Sequence, residues 1–458
     1  MMGYLAGKIR RMDSATVLVF SFVAAIGTGT CLLMLPAATV SGEILFIDAL
    51  FTATSAVCVT GLTVVDTGSY YTVFGQIVIL FLIQIGGLGV MTVSVTVFRL
   101  VGKNISFKQR LIIQDIFTHT PKKDILGLVK MIFLITGIIE LFGASVLFIR
   151  WSGEYPATQA LYLSLFHSVS AFCNAGFSLF SNNMMEYRAD RLVNITVSVL
   201  IVLGGIGFPV LYDLFHAGIG RSERKVRLSI QTKTVLATSA LLIVSGAVFF
   251  FYLERNFILK GRSLSEGILI SVFQSVTCRT AGFNTVDIGS LQMATLAVMI
   301  FLMFFGASPG SCGGGVKTTT LAVIGSFAWS RMKGDIRVHL FRKSIPNETI
   351  ARSTSLILIS LGLVAAIFFL VLISIPDSTG IQNGYPNCFL VYLFETVSAF
   401  GTVGLSMGAT SGLTGTGKFW ITVMMLIGRV GVLAFSYALA GPVREKGIEY
   451  AEENIMIG

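Results

Sequence analysis

The sequence predicts an all-α integral membrane protein built from four pseudo-repeated units, with eight spanning helices and four re-entrant helices between them. Three observations carry that expectation. The 458 residues are 54% hydrophobic and only 12% charged, with a mean hydropathy of +0.82; soluble domains keep about a quarter of their residues charged. Eight segments hold the roughly 20 apolar residues needed to cross about 30 Å of hydrocarbon as a helix. Between them, four shorter stretches repeat one motif.

The spanning segments are 15–36, 73–98, 128–149, 192–213, 234–253, 291–330 (broken), 354–375 and 419–441. The first follows a basic start, but its apolar run is too long for a signal peptide and has no small-residue cleavage site, so it reads as an uncleaved span. Stretches near 44–61, 158–177, 265–283 and 387–405 are too short to cross and too apolar for ordinary loops, which marks them as re-entrant. Of the 33 Lys and Arg, 23 fall in the N-terminus, the three long inter-unit loops and the C-terminus. The positive-inside rule then puts both termini in the cytoplasm and the re-entrant stretches outside.

The re-entrant stretches read FTATSAVCVTGL (51–62), FHSVSAFCNAGF (166–177), FQSVTCRTAGF (273–283) and FETVSAFGTVGL (394–405). All share F-x-x-x-[ST], then a glycine and an apolar residue: Gly61, Gly176, Gly282 and Gly404, spaced by 115, 106 and 122 residues. A second register follows about 24–28 residues later, in GGLG (86–89), GGIG (204–207), GASPG (306–310) and GRVG (428–431). Small residues at such spacing let helices pack closely in lipid. The boundaries are 1–14 for a cytoplasmic N-terminus, 15–100, 125–217, 232–330 and 352–442 for the repeats, and 443–458 for a cytoplasmic tail.

Four equivalent segments about an axis bring four glycine turns to one depth, where glycine lets successive carbonyls point the same way. Rings of carbonyl oxygens replace the hydration shell of a monovalent cation without any side-chain charge. The expected fold is therefore four helix–pore-loop–helix units around a central ion pore. Other classes find little support. The six cysteines and four histidines are dispersed, with no metal-ligand spacing, and no nucleophile–base motif suggests an enzyme. The net charge of +10 is distributed as membrane orientation requires rather than as a nucleic-acid surface.

These residues resemble the Trk/Ktr/HKT superfamily of potassium transporters over roughly 15–458. The specific stretches are IDALFTATSA (47–56), VTGLTVVDTG (59–68), IQIGGLG (83–89), AGFS (175–178), RTAGFN (279–284), GGGVKTTT (313–320), ETVSAFGTVGL (395–405) and IGRVG (427–431). Within the superfamily the chain most resembles the integral-membrane subunit of bacterial Ktr systems, because Trk-type relatives commonly carry two further N-terminal spans. The resemblance implies a K+ selectivity filter from the carbonyls of Val59, Thr60 and Gly61; Asn174, Ala175 and Gly176; Thr280, Ala281 and Gly282; and Thr402, Val403 and Gly404. Sodium-preferring relatives can replace the first glycine by serine, so four glycines favour potassium as the transported ion. Cys173 stands where Ktr relatives often have a second asparagine.

Three cations lie at membrane depth. Arg429, just below the filter, would repel permeating ions, and the resemblance implies a constriction there; structural bonding to a neighbouring loop is the alternative. The run 306–320 breaks its helix with Pro309, Gly306, Gly310, Gly313, Gly314 and Gly315. It is not a P-loop, since Val316 separates Gly315 from Lys317. By resemblance it is an intramembrane gate, with Lys317 marking its cytoplasmic side or simply snorkelling to water. Arg279 is expected to turn behind the filter and pair with Glu395, with Asp66 or Asp287 as second choices. Both aspartates either concentrate cations at the outer mouth or are solvated loop residues.

By resemblance, the partners are a second copy, giving a homodimer, and a cytosolic octameric RCK-type ring whose subunits bind ATP or ADP. The basic loops also suit anionic membrane lipids. The expected location is a bacterial plasma membrane, with no cofactor on this chain, no nucleic-acid partner, and a sodium effect on transport compatible with the family. The alternative is a Trk-like or Na+-preferring relative.

Overall fold

The computed structural model describes residues 14–89, 125–219, 228–335, 337–375, 388–432 and 435. The expected termini 1–14 and 443–458 and the ends of the spans 73–98 and 419–441 fall wholly or largely outside these residues. Helices dominate. In chain order they are α1 (Ser14–Leu33), α2 (Phe46–Val57), α3 (Val73–Leu88), α4 (Ile125–Trp151), α5 (Ala157–Phe172), α6 (Arg191–Gly205) and α7 (Phe208–Ile219). Then come α8 (Ile230–Glu254), α9 (Leu264–Thr277), α10 (Met293–Phe304), α11 (Thr318–Met332), α12 (Asn347–Ile373), α13 (Cys388–Gly401) and α14 (Gly415–Val430). A two-residue hairpin, β1 (His339–Leu340) with β2 (Lys343–Ser344), joins α11 to α12.

The chain itself marks the helix starts. Thr72, Asp190, Ser229, Ser263 and Thr414 each accept a hydrogen bond from a first-turn N–H of the helix that follows, satisfying donors a helix cannot pair internally. Among the described residues, α1, α4, α8 and α12 are long and apolar enough to cross a membrane. Their outward faces present Phe20, Phe142, Val248 and Phe369 to the surroundings. The short helices α2, α5, α9 and α13 are interior, and their motif phenylalanines Phe51, Phe166, Phe273 and Phe394 are buried. Polar side chains are buried with them, Ser55, Ser170, Gln274, Thr277 and Ser398 among them.

Packing closes on itself. α3 packs on α5, α6 on α9, α10 on α13, and α14 back on α2. The last contact carries an ion pair, Lys418 Nζ to Asp48 Oδ1 at 2.6 Å, between side chains only 12% and 13% exposed. Arg150 bonds Asp190 at 2.5 Å, and Arg188 reaches Glu266 at 3.9 Å across to α9.

The second glycine register does more than the packing the sequence suggested. α3 ends at Gly89 (φ +84°) and α14 at Gly431 (φ +94°), both in the left-handed region. The segment 192–213, read as one span, bends by 98° between α6 and α7, with Gly207 at φ +94°. That corrects the expectation of a single broken span at 291–330. Upstream of each end, a glycine admits a backbone contact: Gly86 lies against the Val57 carbonyl, Gly204 against Phe172 and Gly428 against Phe400. Each of those carbonyls is near the end of a short helix, so these glycines set how closely the interior packs.

A side chain at Gly428 must displace the end of α13, whereas Gly362 has open space around it. Gly428→Leu is expected to destabilise the protein by at least the roughly 1–3 kcal/mol typical of overpacking. Gly362→Leu should stay within about 0.5 kcal/mol of the parent. Thermal unfolding in detergent micelles checks both.

Candidate functional site

Each short helix runs its C-terminal end into a turn with one repeated backbone pattern. Val59, Asn174, Thr280 and Thr402 take φ of +56°, +60°, +68° and +49°; two residues later Gly61, Gly176, Gly282 and Gly404 take +91°, +69°, +76° and +91°. The residues between, Thr60, Ala175, Ala281 and Val403, keep negative φ. A left-handed conformation is an outlier for a β-branched residue and costs on the order of 1–3 kcal/mol. Val59, Thr280 and Thr402 accept that cost at equivalent places. Strain of this kind persists only where the surroundings over-determine it.

Those surroundings begin with the Ser/Thr of the shared motif. Ser55 Oγ accepts from Gly61 N at 3.0 Å and Ser398 Oγ from Gly404 N at 3.1 Å. Ser170 Oγ donates to the Phe177 carbonyl at 2.7 Å. Backbone bonds run in parallel: Thr60 N to Ser55 O at 2.8 Å, Ala175 N to Ser170 O at 2.7 Å, Ala281 N to Thr277 O at 3.0 Å and Val403 N to Ser398 O at 2.8 Å. The motif pointed at these hydroxyls; what the sequence did not disclose is that they brace the turn rather than face a ligand.

The four turns meet. The Ala175 carbonyl faces Gly61, Ala281 faces Gly176, Val403 faces Gly282, and Thr60 faces Gly404, completing a closed circle. A Cβ on any of the four glycines would collide with that neighbouring backbone. All twelve residues singled out from the sequence lie here, and all are buried. On one side the four glycines line a cavity of ≈ 230 Å³ that also includes Asp66, Asn183, Asn284 and Ser406. The Asn183 amide donates to the Gly282 carbonyl at 3.5 Å. Asp287 does not line this cavity; Asp66 and Asp287 each cap their own loop, at Gly68 N (2.9 Å) and Gly289 N (3.1 Å).

On the opposite side, the non-helical run between α10 and α11 presses on the turns. Gly314 N donates to Thr402 Oγ1 at 2.8 Å, and Gly313 abuts Thr280 Oγ1. The run is anchored to α6 by Ser308 N to Gly205 O (3.1 Å) and Cys312 N to Gly204 O (3.2 Å), and to α14 by Gly315 N to Gly428 O (3.2 Å). Phe208 N returns a bond to Gly310 O at 2.9 Å. Arg429 donates to the carbonyls of Cys312 and Gly86, clamping the run to α3. Lys317 Nζ donates to Gly313 O at 2.8 Å and Gly314 O at 3.5 Å. Gly306 sits beside Thr280. The residues named from the sequence as a gate therefore lie together on the side of the turns opposite the cavity, with Gly306, Gly313 and Gly314 touching the turns, Gly310 packed on Pro209, and Lys317 and Arg429 bonded to the run.

One expectation fails. Arg279 does not pair with Glu395, Asp66 or Asp287. Its Nη2 donates to Ser239 Oγ on α8 at 2.9 Å, and its Nε has no hydrogen-bond partner. Glu395 is occupied elsewhere, accepting from Ser406 Oγ (2.6 Å), Met407 N (3.0 Å) and Thr410 Oγ1 (2.7 Å). The physical reason is competition. A loop that folds back over α13 supplies Glu395 with its donors locally, while Arg279 extends toward the neighbouring long helix.

Ser398→Ala removes the acceptor for the buried Gly404 N–H and is expected to cost about 1–3 kcal/mol, the penalty of an orphaned buried donor. Ser411→Ala, at an exposed hydroxyl, should change little. Chemical or thermal unfolding of the two purified variants measures the difference.

Residues 6–442 match the sequence profile of the TrkH family, described as a cation transport protein. The chain is 40% identical to the Ktr system potassium uptake protein B of Bacillus subtilis (strain 168), over 98% of this chain and 97% of that protein. It is 37% identical to the protein of the same name from Vibrio alginolyticus, over 96% and 94%. Among solved structures, the potassium transporter TrkH from Vibrio parahaemolyticus shares the fold, with a TM-score of 0.72, 17% identity and coverage of 93% of this chain and 84% of that one.

Proposed function

This chain belongs to the TrkH family of cation transport proteins, multi-pass membrane proteins that are not enzymes, and from that premise we propose that it is the pore-forming subunit of a potassium uptake system. The observation that carries the reading is the closed circle of four turns, whose carbonyls at Thr60, Ala175, Ala281 and Val403 face their neighbours' glycines with no carboxylate among them. A ring of backbone carbonyls stands in for the water around an alkali cation. The short helices point their partially negative C-terminal ends at it, an effect of about 0.3–1 kcal/mol each.

The layer beneath is the gate. Gly313 and Gly314 rest on the inner side chains of the filter, and Arg429 and Lys317 place two cations there. A cation in the path repels a second by several kcal/mol where water is scarce. Opening requires the run 306–320 to leave, which breaks its bonds to Gly204, Gly205, Gly428, Thr402 and Arg429. At 100 mV the membrane potential supplies about 2.3 kcal/mol per charge, enough to drive potassium inward without chemical fuel. Homodimerisation and control by a cytosolic ring carrying ATP or ADP belong to this reading by family resemblance, as do a bacterial plasma membrane and cytoplasmic termini.

Expression in cells lacking potassium uptake tests the proposal. Growth at low potassium and accumulation of rubidium are expected; growth rescued by sodium alone would shift the assignment to a sodium-preferring transporter. Arg429→Ala removes two charge-assisted hydrogen bonds, each worth about 1.5–3 kcal/mol, together with the blocking charge. The variant should raise rubidium uptake per molecule severalfold, and unchanged or reduced uptake in folded protein would exclude the gate role.

A further inference from the structure

The shared F-x-x-x-[ST] motif carries a second polar position, directly after its phenylalanine. Thr52, His167, Gln274 and Glu395 stand there, on α2, α5, α9 and α13, each no more than 1% exposed. Burying a polar group costs free energy unless it is hydrogen-bonded. His167 and Glu395 bond equivalent positions of their own repeats. Leu179 N donates to His167 Nε2 at 3.3 Å, and Ser178 Oγ lies 3.1 Å from the same nitrogen. Glu395 Oε1 accepts from Ser406 Oγ at 2.6 Å and from Met407 N at 3.0 Å. Ser178 and Ser406 are the second residues after the filter glycines Gly176 and Gly404, and Leu179 and Met407 are the third. Each serine also accepts from the N–H two residues on, Phe180 N at 3.0 Å and Gly408 N at 2.9 Å. Gln274 reaches the third residue after Gly282, its Nε2 donating to Thr285 Oγ1 at 3.3 Å. Thr52 departs from the pattern, accepting from Tyr71 OH at 3.1 Å, further along the chain.

We propose that His167 and Glu395 are positioning residues for cation selection, which act through Ser178 and Ser406 to set the spacing of the second and fourth filter turns where these meet the cavity. The proposal rests on the pore reading above. Both serines line the cavity together with the four filter glycines. The second and fourth turns stand opposite each other in the circle, so the two braces act across one diameter. Each stretch is tied to its short helix twice. Ser170 Oγ holds the Phe177 carbonyl and Ser398 Oγ holds Gly404 N; His167 and Glu395 hold the residues that follow. Selection by a ring of carbonyls depends on how its oxygens are held, and a site keeps its geometry where the supporting side chains are themselves locked. The Leu179 N–H can only donate, so Nε2 is the acceptor and the ring proton sits on Nδ1, bonded to the Leu163 carbonyl at 2.8 Å. Phe180 stacks on the ring at 4.7 Å and Trp151 meets it edge-on at 5.2 Å. Glu395 is locked by a third donor, Thr410 Oγ1 at 2.7 Å.

Purified variants in liposomes test this through rubidium uptake, measured against increasing sodium and normalised to folded protein. His167→Ala and Glu395→Ala are expected to lower the preference for rubidium over sodium severalfold. His167→Gln keeps an acceptor near the place of Nε2 and should restore most of that preference. A purely structural role would lower the yield or the maximal rate and leave the preference unchanged; that result in folded alanine variants overturns the proposal. Should those variants fail to fold, Ser178→Ala and Ser406→Ala carry the test, because each deletes only the hydroxyl that its brace holds. Reduced preference in both is expected, and unchanged preference overturns the proposal. Ser411→Ala, at an exposed hydroxyl, should match the parent. A parent without any preference for rubidium overturns both this assignment and the potassium reading, whereas a selective parent with unchanged variants overturns the assignment alone.

Discussion

Inside a bilayer, every backbone N–H and C=O that a helix does not pair must find its partner within the protein. Among the described residues, four turns after the short helices and the run between α10 and α11 are largely buried non-helical backbone. The structure can be read as the solution to that constraint. The turns hang from the short helices by bonds to Ser55, Ser170, Thr277 and Ser398. The fifth run borrows carbonyls from Gly204, Gly205 and Gly428, a hydroxyl from Thr402 and a guanidinium from Arg429. The carbonyls of Thr60, Ala175, Ala281 and Val403 meet at the centre, each against a neighbour's glycine, and under the proposed function their partner is a cation.

Close approach is the second requirement, and glycine meets it twice. At the turns, glycine accepts positive φ and leaves room for the neighbouring carbonyl. On α3, α6 and α14, it brings the ends of the short helices against the next layer. The closed order of packing, with α14 returning to α2 through Lys418 and Asp48, then fixes each strained turn from both sides. Strain at Val59, Thr280 and Thr402 is tolerable because no turn relaxes without displacing its neighbour.

Hydropathy and positional repetition made much of this legible in the sequence. Long apolar runs mark the crossing helices because lipid permits few alternatives, and the four F-x-x-x-[ST]…G stretches gave the addresses of the residues that the structure brings into one circle. Other features were hidden for identifiable reasons. The break at Gly207 escapes a reading of the GGIG run at 204–207 as close packing alone, although its glycines followed by Pro209 also permit a helix to stop and turn. The separation of Arg279 from Glu395 was hidden because charge alone names candidates without geometry; the donors that occupy Glu395 come from the Ser-, Thr- and Gly-rich loop after the fourth turn, whose path back over α13 composition does not reveal.

The central claim is that backbone carbonyls from four turns jointly hold an alkali cation. Anomalous scattering from crystals grown in rubidium or thallium salts addresses it directly. The account predicts ion density on the axis of the circle, within coordinating distance of the carbonyls of Thr60, Ala175, Ala281 and Val403 and absent when the salt is replaced by a large organic cation. Ions found only at the protein surface, with nothing between the turns, would contradict it.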